Sequence, residues 1–133
     1  MFSLSAKIIG TSPLRRQLAN AQSGAVVIFE GRVRGRNGRK KVRLLEYEAS
    51  PALTRSEFKK IEAEAFRKFD ILAVRCAHRS GTVKPGGIAV WLAVAAEHRR
   101  EAFRACEWII DSIKKRLPVW KKEHYADGSS RWL

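Results

Sequence analysis

Proline tolerates few backbone environments, and the four prolines of this chain divide it into short blocks before anything else is considered. Ser12-Pro13 and Ser50-Pro51 each place a residue able to cap free amides just ahead of a proline suited to the first helical position, so each predicts a helix start. Lys84-Pro85-Gly86-Gly87 predicts a turn, and Pro118 predicts the end of a helix. Hydrophobic periodicity fills the blocks. Phe2, Leu4, Ala6 and Ile8 alternate with Ser3, Ser5 and Lys7, which is the period of a half-buried strand. Leu14, Leu18 and Ala21 share one face of a helix that Gly24 should stop. Residues 25–33 and 41–49 read as strands, the first so apolar through Phe29 that burial on both faces is expected, with Gly35-Arg36-Asn37-Gly38-Arg39-Lys40 as a basic hairpin loop. Leu53, Phe58, Ile61, Ala65 and Phe69 mark a second helix ending near Asp70. Strands over 71–79 and 87–96 follow, then a third helix with Ala102, Phe103, Cys106, Ile109, Ile110, Ile113 and Leu117 on one face. The segment from Val119 to Leu133 carries two of the four tryptophans and a turn-forming Asp127-Gly128. No repeat or linker interrupts this order, so residues 1–133 are expected to form a single α+β domain with helices packed against a mixed sheet.

Composition narrows the setting. At 133 residues and 15.1 kDa the chain can bury a real core without disulfides, and no apolar run approaches the ~20 residues that span a bilayer. The start Met1-Phe2-Ser3-Leu4-Ser5-Ala6-Lys7 lacks the pattern of a secretion signal, so the cytoplasm is the expected compartment. Cys76 and Cys106 are too few for a zinc cluster and are expected to be buried thiols; neither metal nor cofactor is called for. Lys plus Arg number 27 against 13 Asp plus Glu, a net charge of +14, so an anionic partner is expected. Nucleic acid, an acidic protein and a phosphorylated small molecule satisfy that charge equally well.

Three basic groups are candidates for chemistry. Arg32, Arg34, Arg36, Arg39, Lys40, Lys41 and Arg43 put seven cations in twelve residues, and on a strand Arg32, Arg34 and Arg36 would point the same way, able to clamp a phosphate. Most of these are expected to be solvated loop residues, with Arg34 the exception because it lies at a strand end. Glu97-His98-Arg99-Arg100 sits where a strand runs into a helix, a position favourable to anions, though exposed charges at a cap would read the same. Lys114-Lys115-Arg116 complements a helix dipole. Lys121 differs: following Trp120 after a proline break, it is expected to lie near other cations and to be partly desolvated, and both effects lower a lysine pKa. His78-Arg79 and His124 are read as structural. With no Ser-His-Asp order, HExxH, P-loop or GxGxxG in the chain, enzymatic work would rest on lysine and arginine.

Taken jointly, Gly24-Ala25 through Phe29-x-Gly31-x-Val33-Arg34, Leu45-Glu46-Tyr47-Glu48-Ala49, His78-Arg79-x-Gly81, Glu97-His98-Arg99-x-x-Ala102-Phe103, Cys106 and Pro118-x-Trp120-Lys121-Lys122-Glu123, then Asp127-Gly128 and Arg131-Trp132, resemble the large, catalytic subunit of molybdopterin synthase over nearly the whole chain. That resemblance implies an α/β hammerhead-type fold and a homodimer within a heterotetramer that includes two copies of a small ubiquitin-like sulfur carrier. The carrier's C-terminal Gly-Gly tail ends in a thiocarboxylate and is threaded into a pocket, where two sulfur transfers convert cyclic pyranopterin monophosphate into the molybdopterin dithiolene. It further implies Lys114 and Lys121 as catalytic residues and Arg32, Val33, Arg34, His98, Arg99, Lys122 and Glu123 as substrate contacts. Arg131-Trp132-Leu133 is not a Gly-Gly tail, so the sulfur donor is expected to be another chain. Ser50 stands where the family pattern has an aromatic residue and Gly87 where it has an acid, which bears on local packing.

Two other readings compete. A small basic module for RNA or single-stranded DNA would explain the charge, but such modules interleave exposed aromatics with cations, and the 32–43 run has none. A silent scaffold for the carrier is disfavoured by the presence of both lysines.

Overall fold

The computed structural model describes Met1–Leu133 in the order β1 (Phe2–Ser5), α1 (Thr11–Arg16), β2 (Ala25–Arg32), β3 (Arg36–Asn37), β4 (Lys40–Ala49), α2 (Pro51–Lys68), β5 (Ala73–Arg79), β6 (Gly81–Val83), β7 (Ile88–Ala96), α3 (Arg99–Arg116), β8 (Val119–Tyr125) and β9 (Ser130–Trp132). The strands form two sheets rather than one. The first has the order β1-β5-β7-β2, mixed because β1 runs parallel to β5 while the other pairs are antiparallel. The second is wholly antiparallel, β3-β4-β8-β9 with β6 also on β4.

Strand β7 is central to the first sheet and apolar on both faces. Its Val90, Leu92, Val94 and Ala96 meet Phe58, Ile61 and Ala65 of α2 and Ala102, Cys106, Ile109 and Ile113 of α3 in the main core. The alternate residues Trp91, Ala93 and Ala95 face the other way, against Ile9, Leu18 and Ala77. Burying each large side chain of that core contributes about 1.5–3 kcal/mol, so the helix-covered face dominates the stability. A second core, of Val33, Val42, Leu45, Tyr47, Val83 and Tyr125 with Ala89 of β7, lies against the second sheet. Both cysteines are buried and free, as expected. No helix is long and apolar enough to cross a membrane.

The proline marks hold with two differences. α1 begins at Thr11 with Gly10 at its cap, so Ser12 lies inside the first turn, and the helix ends at Arg16 instead of continuing towards Gly24. Too short to bury a residue of its own, it hands over to turns that deliver Leu18 to the sheet. Pro51 does open α2 after an extended Ser50, yet the serine side chain makes no capping bond; the Ser50 carbonyl instead accepts from the amide and hydroxyl of Thr54.

Candidate active site

Pro118 determines where the site forms. It ends α3 by forcing Leu117 into an extended conformation (φ −68°, ψ 132°), so the chain leaves the last helical turn directly into β8. That reversal brings Lys114 and Lys121, seven residues apart in sequence, to the wall of one cavity. Arg116 anchors the helix end on α2 through Glu57, with Nε to Oε1 at 2.9 Å, and through Glu64.

Strand alternation then sorts β8. Val119, Lys121 and Glu123 face the cavity, whereas Trp120, Lys122 and His124 face outward. On the outer face the Lys122 ammonium lies 5.4 Å from the centroid of the Trp132 ring, and His124 Nε2 is 2.9 Å from Glu46 Oε2. β4 sets Tyr47 opposite Lys121 and Leu45 opposite Glu123. From the first sheet, β5 contributes His78 and β7 contributes Ala89 and Val90.

The basic hairpin reaches the cavity through a bulge. The β2–β7 register shifts between Gly31 and Arg32, where a Cβ on Gly31 would lie 2.6 Å from Val90 Cγ1. Only glycine allows that approach, and the shift turns Arg32 towards the cavity. Val33 goes into the second core and Arg34 returns to the cavity. Arg36, expected on the same side, sits instead in the exposed β3 beyond the turn at Gly35.

The result is a cavity of about 530 Å³ where the two sheets meet the end of α3. Its rim carries the exposed Arg32, Arg34, Lys114 and Lys121; its buried floor includes Tyr47, His78, Glu123 and Leu45. Partial desolvation lowers the Lys121 pKa below that of a free lysine, aided by Lys114 and Arg34 and opposed by Glu123. Burial, and then Glu123, pushes the Tyr47 hydroxyl up to about 12. His78 is shifted down, first by burial and then by Lys114 and Lys121, against a hydrogen bond to the Arg79 carbonyl that raises it. Because a carbonyl only accepts, the 2.8 Å contact from His78 Nδ1 to Arg79 O puts the proton on Nδ1 and leaves Nε2 as an acceptor. Glu123 Oε1 accepts from Asn37 Nδ2 and from the Tyr125 hydroxyl, each at 2.7 Å.

Of the residues anticipated from sequence, Arg32, Arg34, Lys114, Lys121 and Glu123 converge on the cavity. Val33 and Lys122 do not line it. Nor do His98 and Arg99, exposed at the opposite end of α3, about 22 Å from Lys114 at 1.5 Å per residue. Tyr47, His78, Asn37 and Tyr125 carry no local sequence mark of a site residue. Their partners lie far away in sequence, and the only signal was the presence of Tyr47 and His78 within the motif blocks.

A cationic rim over a floor holding neutral imidazole, phenol and one carboxylate is the lining of an enzyme subunit suited to anionic reactants. The family model described as MoaE protein matches residues 5–116. The molybdopterin synthase catalytic subunit of Pyrococcus abyssi is 41% identical over 116 residues, 87% of this chain and 78% of that one. The crystal structure of molybdopterin synthase from Staphylococcus aureus superposes with a TM-score of 0.93 at 35% identity, covering 98% of this chain and 94% of the other. A Helicobacter pylori complex of subunits 1 and 2 of molybdopterin-converting factor shares the fold, with a TM-score of 0.81 at 20% identity over 98% and 88% of the two chains. The chain belongs to the MoaE family of molybdopterin synthase catalytic subunits, and the nucleic-acid reading is set aside.

Proposed function

We propose that sulfur passes, in this cavity, from the C-terminal thiocarboxylate of a small ubiquitin-like carrier protein to cyclic pyranopterin monophosphate, with Lys114 and Lys121 as the catalytic residues. The observation that carries the residue assignment is their convergence, across the Pro118 reversal, on one cavity with Arg32 and Arg34. A phosphate and a thiocarboxylate are both anions, and a site receiving both needs several fixed cations. Arg34 suits the phosphate, since a guanidinium fork binds oxyanions bidentately, and Arg32, whose Nη2 donates to Glu30 Oε1 at 2.7 Å, adds a second cation held in place on the rim. Lys121, with its pKa lowered, gives up a proton more readily than an ordinary lysine, which suits a proton donor to the departing carrier carboxylate or an amine nucleophile.

His98 and Arg99 fit this reading only from a second copy of the chain, because α3 holds them a helix length from Lys114. A homodimer in which each cavity receives the partner's helix start, within a heterotetramer containing two carriers, accommodates them. Val33 and Lys122 serve the substrate through their neighbours: Val33 anchors the segment that presents Arg32 and Arg34, and Lys122 anchors the strand that presents Lys121 and Glu123. Two buried, unpaired cysteines suit a cytoplasmic enzyme.

The test is single-turnover product formation with preloaded carrier and pyranopterin, run beside carrier affinity. Lys121→Ala is expected to lose most turnover while still binding carrier, and Lys121→Arg is expected not to restore it, since guanidinium holds its proton. Near-normal turnover in Lys121→Arg would reduce the role of Lys121 to that of a fixed positive charge.

A further inference from the structure

Glu123 is buried among cations, yet no ion pair joins it to Lys121, its neighbour on the same face of β8. A carboxylate in that setting is drawn towards the nearest ammonium unless something holds it. Two donors do. The Asn37 amide, reaching across from β3 in the basic hairpin, and the Tyr125 hydroxyl both donate to Oε1 at 2.7 Å. Tyr125 is itself fixed: it is buried in the second core, and the Lys40 ammonium lies 4.6 Å from its ring centroid.

We propose that Asn37 and Tyr125 are positioning residues whose shared grip on Glu123 keeps its carboxylate from pairing with Lys121, leaving that ammonium free to face a reactant. The proposal rests on the reading of Lys121 as the reactive lysine and goes beyond it by assigning what keeps it unpaired. The charged and titratable groups lining the cavity with Lys121 are Lys114 from α3, Arg32 at the end of β2 and Arg34 beyond it, Tyr47 from β4, His78 from β5 and Glu123 itself, which stands opposite Arg131 of β9. Partial burial, then Lys114 and Arg34, lower the lysine's pKa and Glu123 raises it, so the distance of the carboxylate decides how far it offsets the other three. Freed from its donors, Glu123 can turn towards Lys121 and form the ion pair that the clamp prevents. Lys121 would then hold its proton more tightly.

Competitive labelling of Lys121 by reductive methylation across a pH series, read by mass spectrometry on the full chain, reports that midpoint without substrate or carrier. Tyr125→Phe removes one donor and keeps the ring; adding Asn37→Ala removes the other. The expected result is an upward shift of the Lys121 midpoint by ~0.5–1 pH unit, larger in the double variant. An unmoved or lowered midpoint in folded Tyr125→Phe overturns the proposal, even where melting shows lost stability, because a purely structural bond would cost stability alone. If the double variant does not fold, the single variant decides. An upward shift with unchanged single-turnover rate would uphold the clamp and count against Lys121 titration in catalysis, so the two readings fail separately.

Discussion

Replacing Glu123 with glutamine removes one charge from the cavity floor while preserving the shape that Asn37 and Tyr125 hold, since the glutamine carbonyl can accept from both donors. Lys121 loses the only neighbouring group that raises its pKa, so its midpoint should fall, opposite in direction to the shift expected when the clamp is cut. The size follows from the strand. Two residues on one face of a strand stand about 7 Å apart. Lys121 is exposed at the cavity mouth, so solvent screening sets an effective dielectric of roughly 40–80. Coulomb's law then gives about 0.6–1.2 kcal/mol, or ~0.4–0.9 pH unit. Labelling Lys121 over a pH series reads this directly. Tyr47 supplies an internal control: Glu123 is the lesser cause of its raised pKa after burial, so its titration, followed by its own ring NMR signals apart from those of Tyr125, should come down only partly. A Lys121 midpoint that stays or rises in Glu123→Gln would refute the electrostatic account of the cavity.

Gly31→Ala should lower the melting temperature by an amount equivalent to ~1–3 kcal/mol, because the new Cβ meets Val90 Cγ1 at 2.6 Å, and it should weaken substrate binding through Arg32. Arg34→Ala should raise the KM for the anionic substrate with little change in melting temperature, as expected for an exposed rim cation; a large loss of stability would count against that role. His78 has a folded pKa below the ordinary 6.5, so the unfolded chain binds more protons as the pH falls. The stability contributed by the neutral ring is complete above ~6.5 and lost as the pH drops through the lower folded value, so melting curves should decline on that side and His78→Gln should flatten the decline. Polynucleotide binding at physiological salt should be weak and indifferent to sequence; selective submicromolar RNA binding would contradict the role assigned to the charge.

Local rules carried the first sheet and its helices. Pro51, Pro118 and the apolar run through Val94 act within a few residues of themselves, and α2, α3, β2, β5 and β7 appear where the pattern places them. The second sheet was less legible. β6 has three residues, β3 has two, and β8 runs four polar residues, Lys121 to His124, between Trp120 and Tyr125 and so carries little hydrophobic period; its pairing with β4 over Val42–Ala49 is visible only in three dimensions. In the site, Lys121 stood out because a proline and a tryptophan precede it. His78 did not, since what makes it notable is its burial beside Lys114 and Lys121 and not any near neighbour in sequence. Arg36 escapes the alternation of Arg32 and Arg34 because β2 ends at Arg32 and Arg36 belongs to β3.

Arg32, Val33 and Arg34 write two messages in consecutive letters. The outer two furnish the cavity rim and the middle one plugs the second core. Removing or inserting a single residue just upstream would put a guanidinium into an apolar cluster and a valine onto the rim, a double failure from one event. Length variation among relatives should therefore be confined to the exposed tip near Gly38 and Arg39, while this triplet varies by replacement alone.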